Sequence, residues 1–239
     1  MRRIATVITC CSVLAVGMFA AAPASAGVIE VGQPSDAAFP AASCPDSCQA
    51  IGGITGFQVQ IGAHKNPYVV TQPGKIVAFS VRVGKPNANQ TQFFTNLFGG
   101  QPQARLTILQ QVRSTHTHKV PRWTYQVVAQ SEVFNLAPYL GSDPSFPLAK
   151  AISVKKGQTL AITVPTWLPA FGVGLAQDEA WRSSRSSKSC NGTTQAAQQT
   201  VKSQHPYQCF YRTARLLYSA TLVVTPTPTS TTAPHKGTT

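Results

Sequence analysis

The sequence predicts an all-β protein: a single antiparallel β-sandwich, jelly-roll-like, held by two disulfides and followed by a disordered C-terminal tail. Three observations carry that reading. Apolar residues recur at every second position along most of the chain, the pattern of strands with one face turned to a core. The runs are separated by clusters of Gly, Pro, Asn and Ser, drawn from 17 Gly and 18 Pro, residues that punctuate strands and break helices. No window long enough for a helix shows a 3.6-residue period, and only 11% of residues are charged, few for a helical surface of Glu and Lys.

The chain opens with a leader. Arg2 and Arg3 precede a run over residues 4–22 that is almost wholly apolar or small, and Ala24-Ser25-Ala26 supplies a small-residue cleavage pattern. That is the order of a secretory signal peptide, so residues 1–26 are expected to be removed and the mature chain exported. Cys10 and Cys11 lie inside this leader and leave with it. No later stretch holds the roughly 18 apolar residues of a membrane span. Residues 27–43 read as an N-terminal extended segment and residues 44–225 as the β-sandwich domain. Residues 226–239 form a Thr/Pro-rich tail, with too few apolar groups to offset its ordering entropy and prolines that hold it extended.

Within the domain each strand has its own alternation. In residues 56–61, Phe57, Val59 and Ile61 share one face, with Gln58 and Gln60 on the other. Residues 75–84 put Val77, Phe79, Val81 and Val83 inward, opposite Ser80 and Arg82. Residues 105–112 set Leu106, Ile108 and Val112 against Arg105, Thr107 and Gln111, while Leu109 and Gln110 break the pattern. Residues 123–130 place Trp123, Tyr125, Val127 and Ala129 opposite Thr124, Gln126 and Gln130. Ile152 and Val154 point one way, Lys155-Lys156-Gly157-Gln158 turns, and Leu160, Ile162 and Val164 resume the inward face. The last stretch, residues 212–224, turns Leu216, Tyr218, Ala220, Leu222 and Val224 inward. About eight or nine such strands with several long connections favour a jelly roll over an immunoglobulin sandwich.

Cys44, Cys48, Cys190 and Cys209 remain after processing, and an even number in an oxidising compartment implies disulfides. Four cysteines allow three pairings, and sequence alone does not choose among them. The favoured pairing joins Cys44 to Cys48 across Pro45-Asp46-Ser47, and Cys190 to Cys209 around a loop rich in Gly, Thr and Gln. The second bridge closes about 20 residues, worth roughly 3 kcal/mol in the chain-entropy model. Neither pair has the spacing of a zinc site.

Lys and Arg number 20 against 7 Asp and Glu, a formal charge of +13. Such a surface attracts anionic polymers in a salt-dependent way. The acids are too scattered for enzyme work. A glycosidase needs two carboxylates across a cleft, and Asp178 and Glu179 are sequence neighbours that diverge. No G-x-S-x-G elbow is present, an even cysteine count leaves no thiol nucleophile, and no carboxylate cluster offers a Ca²⁺ site. His116 and His118 form an HxH pair without a third ligand. No catalytic residue, metal or cofactor is therefore expected.

The ligand-binding candidates are Trp181, Arg182, Arg185 and Lys188, with Trp167. The three cations lie three residues apart in a Ser-rich stretch leading to Cys190, placed to hold an anionic polymer. Trp123, Trp167 and Trp181 stand near predicted turns; an indole exposed there stacks on a sugar ring, and a buried one packs the end of the sandwich. The aromatic interleaving of a specific nucleic-acid binder is missing.

Several phrases resemble a group of secreted, largely uncharacterised proteins of Gram-positive actinobacteria. They are Gly56-Phe57-Gln58, Pro67-Tyr68-Val69-Val70 with Gly74-Lys75-Ile76-Val77, Val127-Val128-Ala129-Gln130-Ser131, and Val154-Lys155-Lys156-Gly157-Gln158. Val164-Pro165-Thr166-Trp167-Leu168-Pro169, Ala180-Trp181-Arg182-Ser183-Ser184-Arg185 and Thr213-Ala214-Arg215-Leu216-Leu217-Tyr218 complete the match, over about residues 44–225. The resemblance implies a jelly-roll-like sandwich with one local disulfide near its start and another before the last strand, and it carries no activity. The expectation is a secreted, non-catalytic binding or envelope-associated protein acting on a glycan or anionic wall polymer. The alternative is a structural or protein-interaction role at the cell surface with no small ligand.

Overall fold

Two antiparallel sheets face one another across a shared apolar core. The structure is a computed structural model and describes residues 27–117 and 119–225. The expected leader at 1–26, the expected tail at 226–239 and His118 lie outside the described residues. In chain order the elements are β1 (Val28–Val31), β2 (Ile51–Ile61), β3 (His64–Lys65), β4 (Gly74–Val81), α1 (Ala88–Phe98), β5 (Gln103–Gln111), β6 (Thr124–Gln130), β7 (Phe134–Asn135) and β8 (Ser145–Val154). Then follow β9 (Thr159–Leu168), β10 (Phe171–Val173), β11 (Ala180–Ser183), β12 (Gln204–Pro206), β13 (Cys209–Arg212), β14 (Ala214–Leu216) and β15 (Tyr218–Val224).

Of the two facing sheets, the smaller runs β1-β15-β4-β8 and the larger β12-β6-β5-β9-β2-β11-β13, while β10 and β14 pair in a separate two-stranded sheet. Counting only β1, β2, β4, β5, β6, β8, β9 and β15, the first sheet reads first-eighth-third-sixth and the second reads second-seventh-fourth-fifth. That order is two interlocked Greek keys, the jelly roll. The short strands β11, β12 and β13 widen the larger sheet, which curls into a half-barrel.

The main core lies between the sheets, with Phe79, Tyr218 and Leu222 on one side and Leu106, Ile108, Leu160, Ile162 and Val164 on the other. A second cluster joins Phe57, Leu109, Tyr125, Val127, Ala161 and Tyr207. Ala161 sits between Leu160 and Ile162 on β9, so the two clusters occupy opposite faces of the larger sheet. The chain between β11 and β13 covers that second face. Gln198 N donates to Thr55 Oγ1 at 2.9 Å, Gln130 Nε2 to Gln198 O at 2.7 Å, and Tyr207 Oη to Gln198 Oε1. Beneath it Thr55, Thr163 and Thr107 form a ladder of hydroxyls at 2.8 and 2.6 Å.

Coverage of both faces corrects the expectation of polar-out strands. Gln58 is fully buried: its Nε2 donates to Ala214 O at 3.0 Å and its Oε1 accepts from Leu216 N at 3.1 Å, tying β2 to β14. Two bulges correct details of the alternation. One between Ile76 and Ala78 sends Ile76 into the core and leaves Val77 half-buried. Another puts the extra residue Val128 on β6, opposite Ile108–Leu109, and returns Ala129 to the main core. Leu109 keeps the alternation of β5 and joins the second cluster, an apolar residue on a face expected to be polar. Both favoured disulfides are present, Cys44–Cys48 and Cys190–Cys209.

The reading of no helix is overturned by α1. Asn87 and Gln90 form a reciprocal capping box at its start, and Gly99, at φ 77°, ends it. Its inward face is narrow. Phe94 is buried and packs 5.3 Å from the Trp167 ring, and Phe98 lies on Gly52, where an added Cβ would stand 2.6 Å from that ring. Polar Gln90, Thr91 and Thr95 around those two rings hide the helical period from a sequence scan. No helix among the described residues is long and apolar enough to cross a membrane.

Candidate functional site

The second face of the larger sheet carries a ladder of alternating cations and rings at one end. The β11–β13 register sets Arg182 directly opposite Phe210, and Arg212, two residues on, returns to the same face. Trp123 enters β6 at φ 64°, a left-handed backbone rare for a bulky residue. Its carbonyl accepts from Tyr207 N at 2.8 Å, which pins the turn. The Arg182 guanidinium then lies 4.4 Å from the Trp123 centroid and 4.9 Å from that of Phe210. Arg122 lies 4.9 Å from the same indole, and Arg212 lies 5.1 Å from the Phe210 ring. The series is Arg122–Trp123–Arg182–Phe210–Arg212.

Contacts of this kind hold a cation in place without neutralising it. Backbone carbonyls fix two of the rungs: Arg182 Nη1 donates to Tyr207 O at 3.1 Å and Arg212 Nη1 to Gln177 O at 2.8 Å. Under the ladder is a small cavity of about 130 Å³ whose walls include Phe57, Val59, Tyr125 and Trp123. Arg113 shares a shallow groove with Arg122 and Trp123. None of these four arginines is in an ion pair; the two ion pairs among the described residues are Asp36–His64 and Arg82–Asp143. Burial pulls the Arg182 guanidinium below its usual range, Tyr125 opposes that, and the nearby Arg122 charge adds to it. An anion arriving here relieves that repulsion.

The residues predicted as a group are not brought together. Trp167 is 0% exposed, with Nε1 donating to Gly100 O at 3.1 Å, because α1 lies over it. Trp181 is 5% exposed and stacks on Tyr211 at 4.3 Å, inside the main core. Neither indole offers a face to a sugar: of the two readings open at the sequence level, stacking or packing, both take the packed one. Arg185 is 9% exposed, and donates to the carbonyls of Gly52, Gly192 and Thr194. Lys188 is exposed on a short 3₁₀ turn, Ser187–Ser189. Arg182 alone of the predicted cations joins the ladder.

Sequence reasoning missed Arg122, Phe210 and Arg212 as site residues. The signal was adjacency of cation and ring in Arg122-Trp123 and Phe210-Tyr211-Arg212, whose meaning depends on the β11–β13 register. His116 is exposed, and no group of three or more His, Cys, Asp or Glu residues suited to a metal occurs among the described residues. Glu179 is half-buried and accepts from Gln58 Nε2 at 3.3 Å, while Asp178 is exposed.

Comparison with family models, with curated proteins and with solved structures returns no match. The class is therefore defined by fold and site alone: a disulfide-bonded jelly roll with a basic, aromatic-braced face.

Proposed function

We propose that this protein is an exported, non-catalytic binding protein that holds an anionic polymer of the cell envelope along the Arg122–Trp123–Arg182–Phe210–Arg212 ladder. The single observation that carries the reading is the ladder itself: three guanidiniums braced on two rings with no carboxylate among their partners. Guanidinium forks match carboxylate, sulfate and phosphate groups bidentately. Bracing removes much of the side-chain entropy that binding would otherwise cost. A polymer engages several rungs at once, so modest single contacts add through effective concentration.

Burial of Trp167 and Trp181 moves the reading away from stacking on neutral sugars and toward charge. Export is supported by the leader pattern and by two disulfides, which persist in oxidising compartments. Envelope polymers are the polyanions such a protein meets first.

The test is co-sedimentation of the mature protein with purified Gram-positive cell walls, intact and stripped of their anionic polymers, with cellulose as a neutral control. The reading expects pelleting with intact walls at low salt and little with stripped walls or cellulose. Equal pelleting with all three contradicts it.

A further inference from the structure

The cavity of about 130 Å³ under the ladder has apolar walls and an open rim. Phe57, Val59, Val69, Trp123 and Phe210 line it. Phe57 is 4% exposed, whereas Phe210 is 40% exposed and Asn66, which also lines the space, is exposed, so the cavity reaches solvent. Two of its rings are fixed in place. The β11–β13 register holds Phe210, and the Trp123 carbonyl accepts from Tyr207 N at 2.8 Å. Rings held open in this way lose dispersion contacts across the gap, and a hydrocarbon that fills it restores them as it leaves water. A dry cavity of roughly 150 Å³ takes a benzene ring, so the space here suits a body of about six carbons.

Two polar residues of the same lining, Arg182 and Tyr125, have donors to spare. Arg182 Nη1 is engaged by Tyr207 O, but its Nε and Nη2 donate to no acceptor among the described residues, and neither ion pair there involves it. The buried side-chain atoms without a partner among the described residues belong to Arg105, Trp181, Arg185 and Arg215. Neither Arg182 nor the Tyr125 hydroxyl is among them, so these free donors keep accessible surface. The guanidinium lies 4.4 Å from the Trp123 centroid and 4.9 Å from that of Phe210, and both rings wall the cavity. Burial raises the Tyr125 hydroxyl above its usual range and the Arg182 charge opposes that, which puts the two groups within electrostatic reach of one another.

We infer that this cavity binds a small amphiphilic anion, its hydrocarbon body lying against Phe57, Trp123 and Phe210 and its head accepting from Arg182 and Tyr125. A short fatty acid and an aromatic acid share that chemistry. The inference rests on the ladder reading in one respect, the free Arg182 guanidinium, and needs no polymer.

Calorimetric titration of the mature protein with hexanoate and with benzoate tests the site, with hexanol and benzyl alcohol as uncharged counterparts and acetate as a head without a body. At least one acid is expected to bind, about tenfold or more tightly than its alcohol and than acetate. Which acid binds identifies the source. Tyr125→Phe keeps the ring and removes the hydroxyl, and is expected to weaken that acid roughly fivefold. Val69→Phe, at a half-buried lining position, is expected to fill the cavity and weaken the acid about tenfold or more. Both variants are expected to pellet with cell walls as the wild type does, because neither position carries a rung of the ladder. Binding by neither acid overturns the inference, even where salt-sensitive wall binding persists. So does an acid that binds no more tightly than its alcohol or than acetate, or one indifferent to Tyr125→Phe and Val69→Phe. Acid binding without wall binding supports the inference and counts against the polymer alone.

Discussion

Arg215 and Arg82 grip the same stretch of backbone from two sides. Arg215 is 2% exposed and donates to Ala37 O at 3.2 Å and Ala38 O at 3.1 Å, while Arg82 Nη1 donates to Phe39 O at 2.7 Å. The Phe39 ring is 5.4 Å from one guanidinium and 5.9 Å from the other. Arg215 thus locks the N-terminal segment to β14. Arg215→Met keeps the bulk but strands two carbonyls, and is expected to cost about 3 kcal/mol, read as a lower urea midpoint. Glu179 shows the opposite balance. Burial raises its carboxyl above the ordinary range, against a lowering by Arg215, and Asp178 adds to the rise. A group raised in the folded state holds its proton where the unfolded chain has lost it, so stability falls as pH rises through that window. Glu179→Gln is therefore expected to raise the melting temperature at pH 7 more than at pH 4. An equal shift at both pH values contradicts that account.

At the scale of elements, the chain between β11 and β13 does two jobs. It covers the second face of the larger sheet through Gln198 and Tyr207, and it carries the carbonyls that hold Arg185. The Cys190–Cys209 bridge spans 19 positions of this segment, and a loop near that length is worth about 3 kcal/mol in the chain-entropy model. Cys190→Ser/Cys209→Ser is expected to lose about that much stability. Amide exchange should quicken at Ala196 and Gln198, which donate to Gly53 O and Thr55 Oγ1, and stay slow at Ile108 and Ile162. Uniform quickening across the sheet would show that the segment does not open by itself.

These elements also mark how far the sequence could be read. The main core was legible because Leu160, Ile162, Val164 and the inward residues of β15 follow a strict period of two. Bulges at Val77 and Val128 shifted that period by one residue, which no single-strand pattern announces. The helix announced itself only by Asn87, Gln90 and Gly99, because its buried face is little more than Phe94 and Phe98. The site was the least legible part. The sequence left Trp167 and Trp181 open between exposed and packed because their covers, α1 and the β13 ring Tyr211, are remote in sequence. The ladder needs three separate segments brought together by strand register.

For the whole molecule the question is whether polyanion binding follows from a diffuse positive charge, the excess of Lys and Arg over Asp and Glu, or from one face. A diffuse charge makes every exposed cation equivalent, whereas the ladder makes Arg122 and Arg212 special. The measurement that separates these is affinity for polyphosphate across a salt series. It compares the wild type, Arg122→Ala/Arg212→Ala, and Lys155→Ala/Lys156→Ala, which removes the same charge at the exposed turn between β8 and β9. The account predicts that the arginine pair weakens binding and flattens the plot of log affinity against log salt by about two units, while the lysine pair changes both little. Equal loss in the two double variants would contradict it and leave only net charge.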